Sequence, residues 1–149
     1  MPIISGLPSL TGQNLSTHKQ EFDPIASGLS KTMVVVDDIK FAHRKYGANS
    51  KNLEKHLKEK YIKAKDSLKS LTWGQANGSY NQGNGKGYRY ITKSSIRKTV
   101  PDELEKFNIP GFLGFKYYDK KYCFAGICID EIFYVIWVDQ KPNDIYNHG

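Results

Sequence analysis

The chain has 149 residues, of which 39% are hydrophobic and 13% aromatic, enough for one domain to bury a core without disulfide or metal staples. Lys and Arg number 22 against 15 Asp and Glu, giving a formal charge of +7, which suits polyanionic partners such as nucleic acid or simply keeps the chain in solution. No apolar run approaches the roughly 20 residues of a membrane span and Met1-Pro2-Ile3-Ile4 lacks a charged leader, so no membrane partner and a cytoplasmic location are expected.

Residues 1–31 are polar and punctuated by Gly6, Pro8, Gly12, Pro24 and Gly28. Their apolar residues are too scattered to draw a core face. A poorly ordered arm is expected, or one that orders against a partner or its own sheet, with residues 32–149 forming a single domain. Met33-Val34-Val35-Val36, followed by Ile39 and Phe41 alternating with Asp38 and Lys40, predicts a strand or bent hairpin arm over 32–43.

Ser50 is a candidate N-cap for one long helix over about 50–71. Leu53, Leu57, Tyr61, Ala64, Leu68 and Leu71 recur at steps of four and three, a stripe that should pack on a sheet. The other face carries seven lysines from Lys51 to Lys69, either a solvated surface or a ridge that tracks phosphates. Residues 72–87 hold Gly74, Gly78, Gly83, Gly85 and Gly87 among Asn and Gln, which predicts a long loop. Gly83-Asn84-Gly85-Lys86-Gly87 lacks the following Ser or Thr of a phosphate loop, so a mobile segment bringing Lys86 and Arg89 to RNA fits better.

Tyr88-Arg89-Tyr90-Ile91 predicts a short strand whose two tyrosines share a face. A short helix should follow, capped by Thr99 with Pro101 near its first position and ending near Phe107. Strands at about 112–118, 121–128 and 131–138, separated by turns at 118–121 and 129–131, predict an antiparallel meander. Both faces of Ile132–Val138 are apolar, the mark of a strand central in its sheet. The expected fold is therefore α+β: one long Lys-rich helix and a short helix packed on a twisted antiparallel sheet, with a C-terminal β-meander.

Cys123 and Cys128 sit five apart in one predicted strand, so they should point to opposite faces and stay unpaired. The histidines at 18, 43, 56 and 148 are far apart and no Cys-x-x-Cys occurs, so neither a metal nor a cofactor is expected. No nucleophile elbow is present either.

RNA can be cut without these devices, because its own 2′-hydroxyl attacks the adjacent phosphate. Such a site needs a proton acceptor, a proton donor and cations for the crowded phosphate. His148 can serve as acid or base near neutrality, and Tyr146 can donate a proton or stack a base. Lys116, Lys120, Lys121 and Arg89 are the available cations, with Tyr88, Tyr90 and Tyr117 as aromatic surfaces for RNA. Arg44, Arg89 and Arg97 are the only arginines, which favours backbone phosphate contact over base readout.

The pattern Phe124-Ala125-Gly126, the strand from Ile132 to Asp139 and a tyrosine near the end resemble the closing strands of small bacterial toxins of the RelE/ParE-like superfamily. The resemblance covers about residues 50–149. It implies one or two helices set against an antiparallel sheet, and cleavage of messenger RNA without a metal, often on the ribosome, under the control of an antitoxin. By position, Tyr146 and His148 match the family's C-terminal aromatic and histidine, and Lys116 and Arg89 its sheet cations. The chain departs from the family in its long amino-terminal part, its Gly-rich segment and its few arginines. The rival expectation is a basic binding module without catalysis, such as a phage- or plasmid-borne inhibitor of a protein or nucleic-acid target.

Overall fold

The computed structural model describes residues 22–81 and 88–147. Val35–Asp37 (β1), Tyr88–Thr92 (β2), Gly111–Tyr118 (β3), Tyr122–Ile129 (β4) and Ile132–Val138 (β5) form one sheet in the order β1-β5-β4-β3-β2. The last four strands pair antiparallel, as expected, but β1 lies parallel to β5, with Val35 opposite Ile132. The sheet is therefore mixed. The chain leaves β1 at one edge, crosses the whole sheet through two helices, and returns strand by strand.

The predicted strand over 32–43 shortens to Val35–Asp37 because Asp37 ends it locally: its Oδ1 accepts the N–H groups of Ile39 and Lys40, both at 2.9 Å. This Asx-type turn competes with the ladder. The long helix, α1, runs over Lys55–Lys69 rather than 50–71. Ser50 caps an earlier turn instead, accepting from Asn52 N–H at 3.0 Å and donating to Lys45 O at 2.6 Å. The apolar stripe does what its spacing predicts, since Leu57, Tyr61 and Leu68 are buried in α1, with Leu53 buried ahead of it and Ala64 partly buried.

Residues Trp73–Asn81 form a second helix, α2, where a loop was expected. Its start is a reciprocal capping box: Thr72 Oγ1 accepts from Gln75 N–H at 3.1 Å while Gln75 Oε1 accepts from Thr72 N–H at 2.9 Å. Trp73 and Ala76 are then fully buried, which anchors the helix against its low intrinsic propensity. The expected helix from Thr99 shrinks to one turn, α3, over Asp102–Glu105. Thr99 is used elsewhere, its carbonyl accepting from Trp137 Nε1 at 3.0 Å and its hydroxyl meeting His43 Nε2 at 2.8 Å.

The two sheet faces carry two cores. One face, under α1 and α2, buries Leu57, Tyr61, Trp73, Phe115, Phe124 and Phe133. The other packs Ile91, Phe112, Ala125, Ile127 and Trp137 against Phe22, Phe41, Leu104, Ile145 and Tyr146. The last ten residues of the expected arm thus include a core residue, Phe22; residues 1–21 lie outside the described region. Cys123 and Cys128 are unpaired, buried and divided between the two cores, as their spacing predicts.

One glycine is indispensable to this arrangement. Between Ala125 and Gly126 the β4–β5 register shifts, and a Cβ on Gly126 would stand 1.8 Å from Tyr134 O and 2.9 Å from Val135 Cα. The bulge sets Ile136 and Trp137 on the same face. Among the described residues, no helix is long and apolar enough to cross a membrane.

Candidate functional site

The face opposite the long helices gathers most of the predicted catalytic residues. Arg89, exposed, stands opposite Gly114 in the β2–β3 register, and Lys116 stands opposite Cys123 in the β3–β4 register. Alternation along β3 puts Gly114 and Lys116 on this same face. Gly114 is buried there, and the space a Cβ would take is bordered by Ile91 Cδ1 at 2.6 Å and the Tyr146 hydroxyl at 3.7 Å. The tyrosine itself is 5% exposed.

Burial lowers the pKa of Lys116 from the ordinary lysine value. The Arg89 charge acts in the same direction, while Cys123 and Asp139 pull the other way. A lysine so placed sheds its proton more readily than a surface lysine, yet it remains close to a permanent guanidinium charge. The Cys123 thiol is pushed well up by burial and by the Asp139 carboxylate, which keeps it protonated and inert.

Tyr146 reaches this face on the segment 139–147, which crosses the sheet after β5. Asp139, fully buried, begins the segment: Oδ2 accepts from Cys123 N–H and Oδ1 from Ile145 N–H, both at 2.8 Å. Asp139 O accepts from the Tyr117 hydroxyl at 2.6 Å. On the outer side, Arg97 N–H donates to Ile145 O at 2.7 Å and Arg97 Nη1 to Asn143 O at 2.9 Å. Asp144 pairs with Lys98 at 2.8 Å, and the Lys98 ammonium sits 4.0 Å above the centre of the Tyr46 ring. This pair is mostly buried, so breaking it exposes an unpaired charge to a poor solvent.

The remaining predicted residues divide. Tyr88 and Tyr117 are buried, each 8% exposed, and belong to the helix-side core, so neither offers a free ring face to a base. Tyr88 packs edge-on against Trp73 and Phe115, and burial raises the pKa of both tyrosines. Plain alternation turns both rings toward the helices, Tyr88 together with Tyr90 and Tyr117 together with Leu113 and Phe115. Tyr90, half-buried, also packs on the helix side, its ring over Gly111. Lys120 and Lys121 are exposed at the β3–β4 turn. Lys120 borders an open cleft of about 250 Å³ under α1, lined by Ala64, Ser67, Leu68 and Tyr118 among others. Lys86 and His148 lie outside the described residues.

Asp139, Asp144, Arg97 and Lys98 were not among the residues the sequence singled out. The signal for Asp139 was an acid placed directly after seven apolar residues; nothing in the sequence linked it to Cys123 or Ile145. Among the described residues no group of three His, Cys, Asp or Glu side chains is close enough to hold a metal ion.

No family model, curated protein or solved structure matches the chain. Its class is that of its own geometry, an α+β protein with a five-stranded mixed sheet.

Proposed function

We propose that the protein is a toxin-like endoribonuclease that cuts RNA without a metal, on or off the ribosome, and is held in check by an antitoxin. One observation carries the reading: Tyr146, Lys116 and Arg89, distant in sequence, share the sheet face opposite the long helices. Two helices on one side of a mainly antiparallel sheet also agree with the architecture that the RelE/ParE-like resemblance implies.

In the proposed reaction His148 accepts the proton of the RNA 2′-hydroxyl. The 2′-oxygen bonds to phosphorus as the bond to the 5′-oxygen breaks, and Tyr146 returns a proton to that leaving oxygen. Arg89 and Lys116 supply positive charge where the phosphorane oxygens gather negative charge. The products are a 2′,3′-cyclic phosphate, which water can open to a 3′-phosphate, and a 5′-hydroxyl.

End-group analysis of RNA treated with the purified chain, with and without ribosomes and in the presence of a chelator, tests the reading. Cyclic or 3′-phosphate ends are expected. Cleavage that needs added magnesium and leaves 5′-phosphates contradicts the mechanism, and no cleavage in any arm makes a basic binding module the better account.

A further inference from the structure

We propose that Asp139 is the positioning residue of this face: its carboxylate sets the place of Tyr146 relative to Lys116. The proposal rests on the ribonuclease reading for its consequence in catalysis, though not for its structural part.

A carboxylate with no exposed surface is unfavourable unless its oxygens are satisfied. The two oxygens of Asp139 are divided between β4 and the segment that follows β5, which already share one core. Oδ2 holds the N–H of Cys123, the register partner of Lys116, and Oδ1 holds the N–H of Ile145, the residue directly before Tyr146. One rigid side chain therefore spans from the strand pair bearing the cation to the segment bearing the tyrosine. Its own backbone closes the frame, with Asp139 N–H donating to Cys123 O at 2.8 Å and Asp139 O accepting from Tyr117. An apolar residue would fill the same space in the core but could not fix both amides.

The outer anchors of the segment, Arg97 on Ile145 O and Lys98 on Asp144, do not pass through Asp139. Loss of the carboxylate should thus release the inner side of the segment and let Tyr146 shift, with the sheet intact. Asp139→Asn suits this test. The side chain keeps its size, but its amide nitrogen must face one of the two N–H donors, so one anchor turns repulsive.

The experiment pairs amide hydrogen exchange with RNA cleavage in wild type, Asp139→Asn, Tyr146→Phe and the double variant. We expect exchange across 140–147 in Asp139→Asn to rise about tenfold, the loss of one hydrogen bond to a charged group, with the β4 and β5 amides still protected. Cleavage should fall in kcat by about tenfold with KM nearly unchanged. Tyr146→Phe should then cost little more in the Asp139→Asn background, because both changes act through the same hydroxyl. Unchanged exchange across 140–147 overturns the proposal, as does a uniform loss of protection over the sheet, which would make Asp139 a plain core residue. Multiplicative losses in the double variant overturn the catalytic part. A wild type that cuts no RNA removes the ribonuclease reading, and exchange alone then decides whether Asp139 is the clamp.

Discussion

Leu57→Ala tests how the long helix is held, and the structure sets its size against a second substitution in the same stripe. Leu57 is 5% exposed and Leu68 3%, so burial alone predicts similar losses. Truncation removes three carbons, about 2.4 kcal/mol at about 0.8 kcal/mol each, before any cavity cost. Leu57 belongs to the helix-side core and is not among the residues lining the cleft, and the cavity term should lift the loss to about 3–5 kcal/mol. Leu68 instead borders the open cleft of about 250 Å³ beneath α1. Water can enter there, so little new void forms, and Leu68→Ala should cost about 2–3 kcal/mol. Urea melts of both variants against wild type, analysed with a common m-value, measure the difference. A loss below about 0.5 kcal/mol for Leu57→Ala would take this helix out of the core. A larger loss at Leu68 than at Leu57 would refute the argument from the cleft.

Three further perturbations probe other parts of the molecule. His43 Nδ1 accepts the N–H groups of Lys45 and Tyr46, and burial together with the Lys98 and Lys45 charges lowers its pKa from 6.5. The neutral ring is the one the fold favours, so its stabilisation is complete above pH 6.5 and is lost as pH falls below that value toward the lowered pKa. His43→Asn keeps an acceptor at the same place without titrating; thermal melts between about pH 7.5 and about pH 5.5 should show a smaller drop than wild type, and equal drops would refute the assignment. The β4–β5 turn forces two non-glycine residues, Asp130 (φ 50°) and Glu131 (φ 73°), into the left-handed region. Replacing them with Asn and Gly should stabilise the chain by about 1 kcal/mol in urea melts, and a loss would mean the turn is not of the primed type. Finally, changing Lys120 and Lys121 together to Ala should weaken RNA binding at low salt and flatten its log–log salt dependence by about one to two units. An unchanged slope would remove the β3–β4 turn from the RNA path.

Hydrophobic spacing made the sheet meander and the α1 stripe legible, because period and burial are linked directly along Leu53–Leu68 and Ile132–Val138. What it could not supply was pairing partners. The parallel placement of β1 beside β5 depends on a crossover through two helices, and the one in α2 was hidden behind Gly74 and Gly78. Thr72-Trp73-Gly74-Gln75 did contain the capping-box signal, and weighing it above glycine content would have found that helix. The tyrosines are a different case. Tyr88 and Tyr117 look like binding residues in a basic sequence, but an aromatic in a two-faced sheet is at least as useful to the core, and alternation alone does not say which face the helices cover. Arg89, Lys116 and Tyr146 were named in the sequence as chemistry; the contact of Tyr146 with Gly114 and the Asp139 clamp arise only in three dimensions.

The central claim is that the Tyr146 hydroxyl transfers a proton during RNA cleavage, and Tyr146→Phe removes that one oxygen while leaving the buried ring in place. Single-turnover cleavage of RNA by the two proteins, on ribosomes where free RNA is not cut, measures it directly. The account predicts a rate at least about tenfold lower for Tyr146→Phe, with an unchanged melting curve. Equal rates for the two proteins would contradict it.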